Sequence, residues 1–356
     1  MPHIEALAKC LITWFDKERA HLPVPGRNET DPYAIWIAEI MLQQTQVTTV
    51  WPYYNKWMDR FPTVQALAEA NQDEVLKSWE GMGYYSRARN LHAAARRVVD
   101  EYAGVLPASS SELIKLPGIG PYTAASIASL AFDEVVSLVD GNVLRVYARL
   151  MCFDEDISRA RSKTTIKTAL QEHISKQRPG AFNQAIMDLG RAICTPRDPK
   201  CTDCPLQTMC CALEAGEVES YPVKPRSKGV PHYHIVIGLI EKDGQYLIQR
   251  RPEEGLLGGL WEFPGGKIRP GEQEIDALHR EIQEETDLEV MVEEKIATIR
   301  HAYTHFKITM TAYQCKWVAG EAQMNAATEN QWVTPEAFNR FAFPKANLKI
   351  LEKFRT

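Results

Sequence analysis

The rhythm of apolar residues changes kind once along this chain, and that change limits the fold more than any other feature. Up to about residue 190, apolar residues recur at helical spacing, separated by short breakers such as GMGYYS, AGVLP and PGIGP. Helices are expected at about 63–70, 73–79, 86–102, 109–115, 121–131, 141–151, 163–176 and 181–191. Another helical stretch runs from Asp31 to Phe61, opening with an N-cap aspartate and a proline at the first helical position. Beyond residue 231, HYHIVIGLIE, QYLIQRR, LEVMVEEKIATI and FKITMTAYQCKWV gather β-branched and aromatic residues as strands do. Helices are expected there over 273–286 and about 345–354. The Pro-, Lys-, Gly- and Ser-bearing stretch 218–231 reads as a linker. The expected fold class is multidomain: an all-α domain over 1–217, the linker, then an α+β domain over 232–356.

Composition narrows the function classes. With 45% hydrophobic and 24% charged residues, the chain has ample material for a core. No apolar run reaches the ~18 residues of a membrane span. The N-terminus carries acids and aromatics in helical rhythm, unlike a signal or transit peptide, so a cytoplasmic location is expected. The net charge of −5 means that any nucleic-acid surface must be local. Four of the eight cysteines crowd into CTPRDPKCTDCPLQTMC, at Cys194, Cys201, Cys204 and Cys210. Such a cluster points to a metal or Fe–S site rather than to disulfides, and thiolates suit either iron–sulfur or zinc. Cys211 is expected to be a spectator.

Three motifs carry chemistry. In LPGIGPYTAAS, Gly118 and Gly120 bound a tight turn between two helices, whose amides suit a phosphate; an ordinary helix–helix turn is the plainer reading. In AEIMLQQT, Glu39 lies among apolar neighbours. It is either a solvated helix residue or an acid whose pKa is raised by its surroundings, as a general acid working near neutral pH requires. On the helix expected at 273–286, Glu281, Glu284 and Glu285 share one face. They suit a Mg²⁺ ion, or form a solvated acidic face.

Taken together, IAEIMLQQT, GMGYYSRARNLHAAA, PGIGPYTAAS, VDGNVLRV and FNQAIMDLG resemble the MutY-type adenine DNA glycosylases of the helix-hairpin-helix endonuclease III superfamily, over residues 5–220. The resemblance implies a monomer that excises adenine opposite 8-oxoguanine or guanine in double-stranded DNA. It implies Glu39 as the acid at adenine N7 and Asp140, twenty residues after Gly120, as the group that stabilises or traps the oxocarbenium. Tyr122 and Asn142 would support that site. Tyr122 stands where strand-cleaving members carry a lysine, so no strand cleavage is expected. Arg27, Leu42, Gln44, Tyr84, Arg87, Arg89 and Gln184 fall at adenine- or DNA-contacting positions, and Gly118 and Gly120 at the hairpin. The spacing Cys-x6-Cys-x2-Cys-x5-Cys matches the superfamily's [4Fe–4S] loop. Two departures stand out. Pro25-Gly26-Arg27 replaces the family's frequent Pro-Trp-Arg, and Leu144 stands where some members have a lysine.

The C-terminal domain resembles the MutT-type Nudix hydrolases. Gly266, Glu272, Arg280, Glu281, Ile282, Glu284, Glu285 and Leu288 fit the box, while Asp287 replaces its second glycine at a left-handed helix cap. Arg251 and Asn347 resemble nucleotide-pocket positions, and Tyr303-Thr304-His305 aligns with the Phe-Ser-His loop that reads 8-oxoguanine. The resemblance leaves two roles open: recognition of 8-oxoguanine in DNA alone, or in addition Mg²⁺-dependent hydrolysis of an oxidised triphosphate such as 8-oxo-dGTP.

Overall fold

The computed structural model describes residues 4–27, 29–225 and 229–354; residues 226–228 of the expected linker lie outside them. The chain divides into two compact units, Met1–Glu69 with Asn90–Ser227 and Ala70–Arg89 with Lys228–Thr356.

The first unit is helical. The helix Pro32–Leu42 starts as expected, with the Asp31 carboxylate accepting from Tyr33 N (3.1 Å) and Pro32 following. Eight of its eleven residues are buried. It packs against Pro121–Ala131, whose buried face of Thr123, Ala124, Ala125, Ser126 and Ala128 is small enough for two helices to approach closely. The stretch expected to be helical from Asp31 to Phe61 is broken at residues 43–46, and a second helix runs Val47–Arg60. Gln44 causes the break: its φ of 56° is left-handed and incompatible with a continuing helix. A second layer joins Ile4–Glu18, Gly141–Leu150, Ala160–His173 and Pro179–Ala192 around Leu11, Phe15, Val143, Tyr147, Phe182 and Ile186.

In the second unit the strands are β1 (His232–Lys242), β2 (Gln245–Arg250), β3 (Trp261–Glu262), β4 (Gly265–Lys267), β5 (Glu289–Ala302), β6 (Lys307–Ala319) and β7 (Glu329–Val333). They form one mixed sheet of order β3-β2-β1-β6-β5, with β4 on β1 and β7 on β2. β1 runs parallel to β6, whereas its pairings with β2 and β4 are antiparallel. The helix Glu274–Thr286 buries Ala277, Leu278 and Ile282 against one face of the sheet. It ends at Asp287 with φ 55°, the left-handed cap expected where the Nudix box has glycine. The helix Lys345–Phe354 covers the opposite face with Ala346, Ile350 and Leu351.

Candidate active site

Hairpin geometry fixes where the catalytic candidates stand. Gly118 has φ 75°, and a Cβ there would lie 2.6 Å from the Asn90 Cβ, so this position requires glycine. Gly120, the other glycine of the turn, has no such requirement. Its φ is −86°, it acts as N-cap of Pro121–Ala131, and a Cβ there would meet nothing within 4 Å. The turn delivers Tyr122 into the first turn of that helix, beside the Pro32–Leu42 helix. The Tyr122 hydroxyl donates to Glu39 Oε2 (3.2 Å) and also contacts Met187 Sδ (3.2 Å).

Glu39 is the one acidic residue on a helix that otherwise turns apolar groups inward. Burial pushes its carboxyl pKa up; the Ser126 and Tyr122 hydroxyls and, more weakly, Arg27 pull it down, while Asp140 adds to the rise. Asp140 is the N-cap of Gly141–Leu150. Its carboxylate accepts from Val143 N (2.7 Å) and from Asn142 Nδ2 (3.0 Å). Burial raises this pKa as well, against those two donors. Glu39, Tyr122, Asp140, Asn142, Leu42, Gln184 and Arg27 all line one cavity of about 480 Å³. Arg27 is held in its wall by the buried carboxylate of Asp188, which also pairs with Arg191 (3.1 Å). Gln44 protrudes from the left-handed turn after this helix.

Sequence reasoning missed the supports behind this cavity. Arg145 donates to Asn142 Oδ1 (2.9 Å), Gly190 O (2.6 Å) and Cys194 O (2.8 Å), and one turn on, Arg149 reaches Cys194 Sγ (3.3 Å) and Thr195 O (2.7 Å). Both arginines are almost fully buried. Two arginines four residues apart on an amphipathic, largely buried helix were the available signal. Arg149 also donates to Val218 O and Tyr221 O (both 3.1 Å), so the start of the expected linker is pinned to this helix.

Cys194, Cys201, Cys204 and Cys210 surround a small cavity of about 30 Å³. Burial, with the neighbouring thiols adding to it, pushes the Cys204 thiol up to about 11. Cys211 stays out of this ring, as expected of a spectator, but is disulfide-bonded to Cys152, just beyond the Gly141–Leu150 helix, a bond the sequence reading did not foresee. A pairing across 59 residues leaves no mark in local spacing. Among the described residues, no three His, Cys, Asp or Glu side chains converge closely enough to hold a single metal ion.

The second unit carries the remaining candidates. Tyr84, at φ 49°, donates its hydroxyl to Thr304 Oγ1. Tyr85 is buried. Arg87, expected at DNA, is buried instead: its guanidinium lies 5.0 Å from the Trp79 ring centroid and 5.7 Å from that of Tyr84 and donates to Gly83 O (3.2 Å). It therefore props the Tyr84 loop. Arg89 is turned to Gly258 O and Glu253 O. The Tyr303 ring stacks on Phe306 at 4.6 Å and meets His301 edge-on at 4.6 Å. Tyr84, Arg89, Tyr303, Thr304, His305 and Lys345 border a cavity of about 330 Å³.

The three box glutamates each have partners within the unit, and Glu281 and Glu284 share Arg280. Glu281 pairs with Arg280 (2.7 Å), and Glu284 with Arg269 (3.1 Å) and Arg280 (3.2 Å). Glu285 accepts from Gln249 Nε2 (2.6 Å) and Gly265 N (3.0 Å), and burial raises its pKa to about 7. Arg251 pairs with the half-buried Glu262 (2.7 Å), and these two with Asn347 and Glu285 line a cavity of about 510 Å³.

A family described as HhH-GPD superfamily base excision DNA repair protein matches residues 37–174, and the NUDIX domain family matches 235–353. A protein of Rattus norvegicus named adenine DNA glycosylase is 34% identical over 406 residues, covering 99% of this chain and 78% of the relative. One of the same name from Buchnera aphidicola subsp. Schizaphis graminum is 29% identical, covering 99% of both. Among solved structures, a thermostable thymine-DNA glycosylase superposes with TM-score 0.53 at 27% identity, over 60% of this chain and 97% of its own. Relatedness that spans the helical unit, the cysteine loop and the sheet in one alignment leaves a single assignment: the chain belongs to the adenine DNA glycosylase family.

Proposed function

We propose that this protein excises adenine from 8-oxoguanine:A and G:A mispairs without cutting the strand, acting as a monomer in the cytoplasm. One observation carries the reading: Glu39, on a helix otherwise buried as apolar surface, shares a cavity with Asp140 and is bonded to Tyr122. With adenine flipped into that cavity, the protonated Glu39 gives its proton to N7, and the N-glycosidic bond breaks. The Asp140 carboxylate stabilises the positive sugar, either as an ion pair or by transient addition, before water completes hydrolysis. Asn142, oriented by Arg145, holds Asp140 in place. Tyr122 offers no amine for a Schiff base. A labelled 8-oxoguanine:A duplex should therefore break only after alkali treatment; breakage without alkali would overturn the monofunctional assignment.

The cysteine loop fits a [4Fe–4S] cluster. Cys194, Cys201, Cys204 and Cys210 ring one cavity, and Arg149 donates to Cys194 Sγ (3.3 Å). When bound, the cluster would brace the loop and take no part in hydrolysis. Equal amounts of iron and acid-labile sulfide are expected in the purified protein, both lost in Cys204→Ser; zinc in their place would overturn this assignment.

Recognition of 8-oxoguanine falls to Tyr303, Thr304, His305 and Tyr84 at their common cavity. Losing one hydrogen bond there is worth ~1–3 kcal/mol. Thr304→Val should thus cut the preference for 8-oxoguanine:A over G:A by about tenfold or more, measured under single-turnover conditions, with G:A excision little changed. The box glutamates are tied to arginines and to a backbone amide, and base reading is the role assigned to the domain. Incubated with Mg²⁺ and 8-oxo-dGTP, the protein should release no pyrophosphate above background. Turnover abolished by Glu284→Gln and spared by Glu39→Gln would instead establish a second activity.

A further inference from the structure

The wall of the adenine cavity is bare at Gly26. Its φ is 74°, and a Cβ there would lie 2.5 Å from the Ala38 Cβ, so no side chain can stand at this position without displacing the catalytic helix. Behind the wall lies a second cavity of about 180 Å³, bordered by Arg19, Glu29, Asp133, Arg178 and Ala181. Gly26, Arg27, Ile35, Leu130 and Gln184 belong to the linings of both cavities. Of the five, Arg27 is fixed by Asp188, Ile35 is buried, and Leu130 is a half-buried apolar group. The partition is thus backbone at Gly26 and, at Gln184, a half-buried side chain able to change rotamer.

A cavity of about 480 Å³ already lies in the range that holds drug-sized ligands, well beyond the needs of one purine. With N7 at Glu39 and N9 directed to Asp140, the six-membered ring with its 6-amino group must face the rest of the lining, where Gly26 and Gln184 stand.

We propose that the base pocket continues past Gly26 and Gln184 into this polar annex, so that the protein excises adenines carrying a substituent on the 6-amino nitrogen, including groups as large as benzyl. The reaction is the same hydrolysis of the N-glycosidic bond; only the leaving base changes. The inference rests on the assignment of the Glu39 cavity as the adenine pocket. Polar groups at the annex rim, Arg19, Asp133 and Arg178, suit substituents with hydrogen-bonding ends as well.

The test uses the full chain and duplexes with adenine, N6-methyladenine or N6-benzyladenine opposite 8-oxoguanine, read as single-turnover excision rates. The methyl compound controls for weakened base pairing. The benzyl compound should be excised within about tenfold of the methyl one, because an enclosed pocket lacking that space would reject a group of this size by far more. Ala181→Leu, which fills the annex from its far side, should slow N6-benzyladenine by about tenfold or more and leave adenine unchanged. Glu29→Trp, at an exposed site on the same rim, should do likewise and serves if the first variant fails to fold. Benzyl excision reduced to background, or benzyl excision indifferent to both substitutions, overturns the proposal. Glu39→Gln separates the two levels: loss of adenine excision in it with rejection of the benzyl compound by the parent protein removes the annex alone, whereas full adenine excision in it removes the pocket assignment.

Discussion

Glu39→Gln should lower adenine excision by about 100- to 10,000-fold, the contribution expected of a positioned general acid, while the protein folds as before. Glutamine keeps the shape of the side chain and can still accept from Tyr122. The pH profile makes the test sharper. Excision needs Glu39 protonated, so the rate falls as pH rises through its pKa. Burial raises that pKa, which moves this limb upward from the ordinary carboxyl range toward neutrality. The acid-side limb reports Asp140, which must be ionised; burial raises its pKa too, against the amides of Val143 and Asn142. In Glu39→Gln the alkaline limb should vanish from whatever rate remains. Excision within a few-fold of the parent, or an unchanged alkaline limb, would refute the acid.

Asp140→Asn should be nearly silent in stability and close to lethal for activity. As N-cap, asparagine serves about as well as aspartate, so Val143 N stays satisfied and the melting temperature should move by no more than a few degrees. The negative charge facing the developing oxocarbenium is lost, which should reduce excision by roughly 100- to 1,000-fold. Asp140→Ala adds the loss of the cap, about 1 kcal/mol, and separates the two roles. A strongly lowered melting temperature in the asparagine variant, or excision close to that of the parent, would refute the division.

Local chemistry was legible in the sequence. Asp31-Pro32 begins a helix where a cap and a first-turn proline belong, and Asp287 takes the left-handed conformation that a helix end demands there. Glu39 was legible as an acid among apolar neighbours because its helix has no polar face to explain it. What escaped depends on partners distant along the chain. The strands β3, β4 and β7, two to five residues long, are defined by their pairing with β1 and β2 and carry little pattern of their own. The break at Gln44, the burial of Arg87, the Cys152–Cys211 bond and the reach of Arg145 and Arg149 into the cysteine loop follow from packing, which spacing does not encode.

Residues 70–89 count with the C-terminal half by their contacts and with the helical half by sequence order. Leu76 and Trp79 are wholly buried, and the Lys77 ammonium donates to Phe341 O (2.9 Å) while Glu80 accepts from Phe343 N (3.0 Å). Gene fusion of two independent modules would have left one crossing between them; this polypeptide crosses three times. The halves are consequently not interchangeable parts. A recombination event that imported a foreign C-terminal domain at the linker would inherit a mismatched segment 150 residues upstream, so the two must drift together in evolution, and a library shuffled at that linker should yield few folded chimeras.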